Sequence, residues 1–519
     1  MKIYSFKKLL AVLSASAMLT ACSSDFLDVE PYGKSDTSTY YQTDDEIDLA
    51  LTASYDMLSS DQLQGWSSCY VIKNLPADDV NCGGGGASDQ AQYQEIDDFE
   101  WHAENAGIRA FYHINYYGIY RVNQIITNAP TEGRSDLMNR MIAEAKFLRA
   151  YFYFELVTAF GDVPLWLEPP VELTEGKERT PKAEVYAQIE QDLTEAAEVL
   201  PNKSVFDGTG DAFRANKQAA LGLLGKVRVF QGDFAGAIAP LESVLQVEGS
   251  EVALESDFSQ LTLKSTEFGK ESLFEASFIS NLDTWGTTQW NRDAHDNRHI
   301  QLSGPRQLDD IEGATPIKSD KLRSGWGFLP PTKSLFDSFE ATDGRRDATI
   351  LDDEGLARLY GQVFTDGWDT EGLVRTKYTT FDSETTDEGG ATPELNYTTN
   401  WRLLRFADVI LLAAEAYYEQ GNESDARAML NKLRQRAGGL ADYDATVTGD
   451  ALFNAIVNER RVELAYEGSR FWDLVRWGLA DEKLKDRGFQ KGKHELFPIP
   501  LAEIVGNPGI TSADQNPGY

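Results

Sequence analysis

Apolar side chains in this chain recur every three or four residues over long stretches and almost never alternate, so most of it must bury one stripe of a helix rather than one face of a strand. Such stripes run from Ile108 to Ile126, then through Leu137, Met141, Ala145, Leu148, Phe152 and Leu156 to a stop near Gly161. Another runs through Val185, Ile189, Leu193 and Leu200, opened by Thr180-Pro181 and closed by Pro201. The first helix is predicted at a capping box, in which Thr43 caps and Glu46 reaches back to it. Alternating runs of five or more residues are scarce, so any sheet is small. Hydrophobic residues make up 42% of the 519 positions, enough to pack a core, and the expected fold class is mainly α with little β.

Two segments carry a further pattern. In Asn216 to Leu245 a helix with Leu224-Gly225 turns at Gly232-Asp233-Phe234 and returns through Ala237 and Leu241. In Phe406 to Ala437, Ala413-Ala414 precede a turn at Gly421-Asn422 and a return through Ala426 and Leu430. These offsets match a tetratricopeptide helix hairpin, where small residues let two helices pack closely. The two units lie nearly 190 residues apart, which predicts a helical bundle carrying repeat-like pairs rather than a regular solenoid. Between them, from about 251 to 400, a stretch rich in Gly, Asp, Thr and Trp reads as long loops on that scaffold. The expected organisation is an N-terminal helical part over about 43–250, this loop-rich ligand region, and a C-terminal helical part over about 401–519.

The first 21 residues stand apart from the fold. Lys2, Lys7 and Lys8 precede a short apolar run that ends Leu19-Thr20-Ala21-Cys22, which reads as a secretory signal peptide over 1–21 with a lipobox. Cys22 is then the expected lipidated N-terminus, followed by a polar tether over 22–42. Cys69 and Cys82 remain, and their spacing leaves both a disulfide and two free thiols open.

Chemistry is sparse. With 83 acidic against 48 basic side chains the formal charge is −35, and a surface this negative excludes a nucleic-acid partner. His295 and His299 stand four apart, but no zinc-protease Glu accompanies them, and the segment reads as a solvated loop. Gly83 to Gly86 lacks a following Gly-Lys-Ser/Thr and reads as a flexible turn. Asp366, Asp369 and Glu371 could hold a structural calcium ion, although the twelve-residue loop pattern is absent; no cofactor is otherwise implied. With 83 carboxylates, close acid pairs arise by chance, so spacing selects no hydrolase pair. The cluster Glu459-Arg460-Arg461 to Glu467, with Asp473 and Arg476, is expected to hold the fold. Its helical spacings allow pairs of Arg460 with Glu463, Arg461 with Glu467, and Asp473 with Arg476.

Aromatic residues say more. Trp66, Trp101, Trp285, Trp290, Trp326 and Trp368 lie among polar, Gly-rich or Asp-rich neighbours, whereas Trp166, Trp401, Trp472 and Trp477 fall in helical or apolar contexts and are expected in the core. A pyranose lays its C–H face on an indole while Asn, Asp and Arg bond its hydroxyls. Trp285 to Arg292, with Trp290 and Asn291, holds all these residue types; Trp101 to Asn105 is a second such patch and Trp66 to Tyr70 a third. For each such Trp, a loop anchor buried on the core is the alternative.

An ordered series of motifs resembles the SusD/RagB family of outer-membrane nutrient-binding lipoproteins. It comprises Cys22 with Phe26-Leu27-Asp28 and Pro31; Tyr116, Ile119 and Asn123; Arg149 to Phe152 leading to Phe160-Gly161-Asp162-Val163-Pro164; and Pro331-Thr332 with Asp343 and Arg345-Arg346. Arg405 to Val409, the Glu459-Arg460-Arg461 helix, Trp472 to Gly478, Pro498-Ile499-Pro500 and the ending Asn516 to Tyr519 complete it. The resemblance implies a helical SusD-like fold with tetratricopeptide-like pairs as scaffold and a loop-rich ligand face. It also implies a non-enzymatic, lipid-anchored, cell-surface role at the outer membrane. There such a protein passes glycans to a TonB-dependent, SusC-like β-barrel transporter. Ligand residues carry over as regions, around Trp101 and Asn105 and around Trp285, Trp290 and Trp326. A peptide-capturing subunit and a lipid-anchored glycan hydrolase are the alternative readings.

Overall fold

A computed structural model describes residues 40–59, 67–172, 174–284 and 297–519. Its N-terminal part is built from α1 (Asp44–Tyr55), α2 (Cys69–Asn74), α3 (Ala91–Asp97), α4 (Ala106–Asn128), α5 (Asp136–Phe160), α6 (Lys182–Val199), α7 (Lys217–Gln231) and α8 (Phe234–Leu245). Short helices α9 (Arg298–Ser303), α10 (Lys333–Phe336) and α11 (Asp353–Tyr360) punctuate the loop-rich stretch. The C-terminal part holds α12 (Phe406–Glu419), α13 (Glu423–Ala437), α14 (Gly449–Glu463), α15 (Arg470–Arg476), α16 (Ala480–Leu484) and α17 (Leu501–Gly506). The class is mainly α, as expected.

Local chemistry sets the boundaries. The Thr43 hydroxyl accepts from the Glu46 N–H and the Glu46 carboxylate accepts from the Thr43 N–H, closing the predicted capping box. Asn216 and Asp233 cap α7 and α8, and Gly232, at φ 79°, ends α7 in the left-handed conformation that glycine adopts freely. Both predicted hairpins form, α7 with α8 and α12 with α13. A Cβ at Gly225 would lie 2.4 Å from a methyl of Leu241, so the small residue permits the α7–α8 approach.

The two hairpins are not isolated from one another, and here the structure departs from the expectation of a bundle with scattered pairs. Helices α4, α5, α6, α7 and α8 pack each on the next, and α8 packs on α12. The stack therefore continues through space where the sequence is interrupted. What closes the gap is β1 (Ser272–Ala276), which pairs antiparallel with the later strand β6 (Trp401–Arg405) and packs on α7. Between them, β2 (Gln307–Asp310) pairs with β4 (Gln362–Asp366) and β3 (Ile350–Leu351) with β5 (Val374–Arg375). One hydrophobic core runs from Ile47 to Ile499 through all three expected parts, with a small satellite around Leu322, Leu356 and Phe381. Cys69 and Cys82 are not joined to each other, and burial with the nearby Asp97 charge pushes the Cys82 thiol far up.

The charged C-terminal cluster is buried and structural, but its partners differ from the helical spacings. Arg460 binds Asp408 at 2.9 Å and Asp473 at 3.0 Å, not Glu463. Arg461 binds Asp79 at 2.7 Å and Asp78 at 3.1 Å, not Glu467. Glu463 instead meets Arg345, Arg405 and Arg436, and Glu467 meets Arg405 and Lys377. Only Asp473 with Arg476, at 2.7 Å, follows the expected pairing. A guanidinium out of water needs several acceptors at once, and these come from neighbouring elements rather than from the next turn of its own helix.

Candidate functional site

The buried helix α9 organises the loop-rich face. At its start the His299 ring lies 4.9 Å from Tyr70 and 4.9 Å from Phe278, and burial, with the Arg375 charge, pushes its pKa down to about 3. The imidazole is therefore a neutral packing element. His295 lies outside the described residues, and among those described no group of three His, Cys, Asp or Glu side chains could hold a metal ion. His299 stands on a buried helix, not in the solvated loop expected, because Tyr70, Phe278 and the Asn297 amide bonded to the Thr399 carbonyl enclose it.

This packing brings Tyr70 and Phe278 together around one imidazole. Tyr70 follows the segment that carries Trp66; Thr284 and Asn297 flank the segment that carries Trp285, Trp290, Asn291 and Arg292. Those five residues themselves lie outside the described residues. Around Phe278 opens a cavity of about 340 Å³, lined by Tyr55, Phe213, Glu275, Ile279 and Asn281. Ile279 is 65% exposed there. Tyr70 is no part of its wall: it is buried, accepts a 2.6 Å bond from Arg375, and packs edge-on against Trp401.

The far end of α9 builds a second surface. The Gln301 and Leu302 carbonyls accept from the Trp326 and Phe328 N–H groups, and the Cys82 carbonyl accepts from Leu329. Residues 79–84, 301–305 and 325–332 are thereby zipped together. A Cβ at Gly83 would lie 2.1 Å from the Gly327 carbonyl oxygen, and one at Gly84 2.6 Å from the Phe328 ring. The first half of the four-glycine run is a close-packed seam, not the free turn expected. Against the seam lies a cleft lined by Arg306, Phe328, Pro330, Phe364, Trp368 and Thr370. Arg306 donates to the Trp326 carbonyl at 3.1 Å. Trp326 is half-buried and packs on the core, whereas the Trp368 indole is 47% exposed. Glu371, considered above for calcium, accepts from the Asn81 amide at 3.5 Å and the Lys333 N–H at 2.7 Å.

Trp101 and Asn105 do not form a sugar platform. Trp101 is 1% exposed, its ring 4.9 Å from Phe99, 4.9 Å from His494 and 5.3 Å from Phe497, and its N–H donates to the Tyr519 hydroxyl. Asn105 caps α4, accepting from Ile108 N at 3.0 Å and donating to the Gln92 carbonyl and to Glu95. Trp101 sits under the C-terminal tail, which folds back over polar-looking local sequence, and Asn105 is held between α3 and α4. Phe213, Phe278, Arg306 and Phe364 were not singled out in the sequence. Only Arg306, after Gly304-Pro305, carries a local hint.

Residues 25–229 match a family model described as starch-binding associating with outer membrane, and residues 361–519 match that of the SusD family. A solved laminarin binding SusD-like protein superposes with a TM-score of 0.80 at 33% identity, over 92% of this chain and 100% of its own. The chain belongs to the SusD family. Surface glycan-binding protein A from Bacteroides fluxus, another solved structure, is 28% identical with a TM-score of 0.77, over 92% of this chain and 100% of its own. SusD-like protein P2 from Formosa agariphila is 27% identical over 538 residues, 97% of this chain and 98% of that one. The SusD-family likeness thus spans both the helical stack and the loop face.

Proposed function

We propose that this SusD-family protein is a surface glycan-binding protein, anchored to the outer membrane through Cys22, that passes polysaccharide or oligosaccharide to a TonB-dependent, SusC-like transporter. The observation that carries the reading is the end-to-end likeness to the laminarin binding SusD-like protein at 33% identity. The loop face supplies the chemistry such a role needs. Trp368 offers an exposed indole for the C–H face of a sugar, Arg306 lines the same cleft, and the aromatic cavity around Phe213 and Phe278 offers a second contact.

Binding without bond-breaking is favoured because the prominent carboxylate cluster is committed to structure. Glu463, Glu467, Asp408 and Asp473 each face buried guanidinium or ammonium groups. The purified chain without its first 22 residues is to be run in affinity gels against a polysaccharide panel headed by laminarin, with reducing-sugar release assayed alongside. Retardation without release supports the reading; release makes the protein a hydrolase, and indifference to every glycan with capture of peptides makes it a peptide carrier. Trp368→Ala is expected to weaken retardation about tenfold, the scale of one aromatic contact, with an unchanged melting temperature.

A further inference from the structure

Away from the loop face, α4, the connection after Pro164 and α17 enclose a cavity of about 360 Å³. Its walls include the Tyr116, Tyr120 and Trp166 rings, and its polar lining is lopsided. Three of its side chains have their donors taken. The Tyr116 hydroxyl donates to the Pro164 carbonyl at 2.8 Å and the Asn123 amide to the Trp166 carbonyl at 2.9 Å. The Asn507 amide donates to the Lys177 carbonyl at 2.9 Å and to Glu503 at 2.7 Å. Acceptors remain in excess, because the carboxylates of Glu168, Glu175 and Glu503 line the cavity and none forms an ion pair among the described residues, although Glu175 accepts from the Val171 N–H at 2.8 Å.

That inventory selects a ligand by chemistry. Three carboxylates repel an anion, and a neutral sugar leaves their negative charge unanswered. An ammonium or guanidinium supplies only donors and a positive charge, and aromatic faces attract it. The wall already shows that preference, since the Lys177 ammonium lies 5.2 Å from the centroid of the Trp166 ring. Burial also raises the Glu503 carboxyl above its ordinary range, a cost that a bound cation would relieve. We propose that this cavity binds an organic cation, an ammonium or guanidinium on an aliphatic stem, either as a free amine or as a lysine or arginine side chain of a partner. This goes beyond glycan capture and does not depend on it.

The test is calorimetric titration of the chain without its first 22 residues, using cadaverine, Nα-acetyl-lysine amide and Nα-acetyl-arginine amide, with Nα-acetyl-norleucine amide as the uncharged control. At least one cation is expected to bind saturably and the norleucine derivative not at all. Glu168→Gln and Tyr120→Ala should each weaken that binding about tenfold, while melting temperature and glycan retardation stay unchanged. Tighter binding of cadaverine assigns the site to free amines. Tighter binding of the amino-acid derivatives assigns it to a partner's side chain, whose backbone would meet the exposed Val171 and Val505 nearby. No saturable binding of any cation, or binding that both variants leave intact, overturns the proposal.

Discussion

Arg460 stands between Asp408 and Asp473, and Lys226 and Arg476 pair with the other sides of those two carboxylates. Burial alone would raise the Asp408 carboxyl, yet Lys226 and Arg460 hold it well below the usual carboxylate range. Arg460→Met leaves two buried negative charges one partner short, so unfolding in urea should show a loss of about 3–5 kcal/mol, and a loss under 1 kcal/mol would refute the account. His299 supplies the pH dependence. Its folded pKa of about 3 lies below the ordinary imidazole value of 6.5, so the unfolded chain binds the proton more tightly. The stability it contributes is complete above pH ~6.5 and is lost as pH falls towards ~3, by roughly 1.4 kcal/mol per unit within that window. His299→Gln should flatten that part of the stability profile relative to the unmodified chain; parallel profiles would show that the ring does not titrate as described. At this scale the sequence was half legible. The acid and base residues of the charged helix were recognisable as structural, but their partners come from 13 to 383 positions away. Trp101 looked exposed because its neighbours are polar, and only the returning C-terminus reveals its cover.

Helices were readable because a 3.6-residue period repeats many times over, while neighbours in space were not, because periodicity says which face is buried and not against what. The α7–α8 hairpin shows both sides of this. Its turn, caps and returning stripe lay in the sequence, and Gly225 marked the close approach. The packing of α8 on α12 across the 250–400 stretch did not, since β1 and β6 are short and irregular in register. α9 escaped for a related reason: six residues give too little period to distinguish a helix from a loop. Gly225→Ala tests the hairpin. Alanine is the better helix former by ~1 kcal/mol, so local propensity predicts stabilisation. A Cβ 2.4 Å from Leu241 predicts instead a loss of about 1–3 kcal/mol through overpacking. Leu241→Ala in the same chain should remove most of the Gly225→Ala penalty, and additive effects of the two substitutions would show that the contact does not set the helix separation.

For the whole molecule the charge balance and the leader govern where it can reside. A formal charge of −35 is repelled by anionic lipid and favours dispersal in solution over adsorption to a membrane surface. Among the described residues no helix is long and apolar enough to cross a membrane. The proposed anchor is the N-terminal segment, where Leu19-Thr20-Ala21-Cys22 precedes the expected tether. Each buried acyl methylene contributes ~0.8 kcal/mol, and more than one chain is required for lasting attachment, which is what a lipidated N-terminal cysteine provides. At the other end of the chain the Asn516 amide donates to the Phe160 and Phe497 carbonyls, and Arg179 donates to Asn516, tying the C-terminus onto the helical stack. Cys22→Ala should consequently move the protein from the detergent phase to the aqueous phase and out of the membrane fraction, with its urea midpoint and laminarin retardation unchanged. Continued detergent partitioning would place the anchor elsewhere on the chain, and loss of folding would show that the tether belongs to the core.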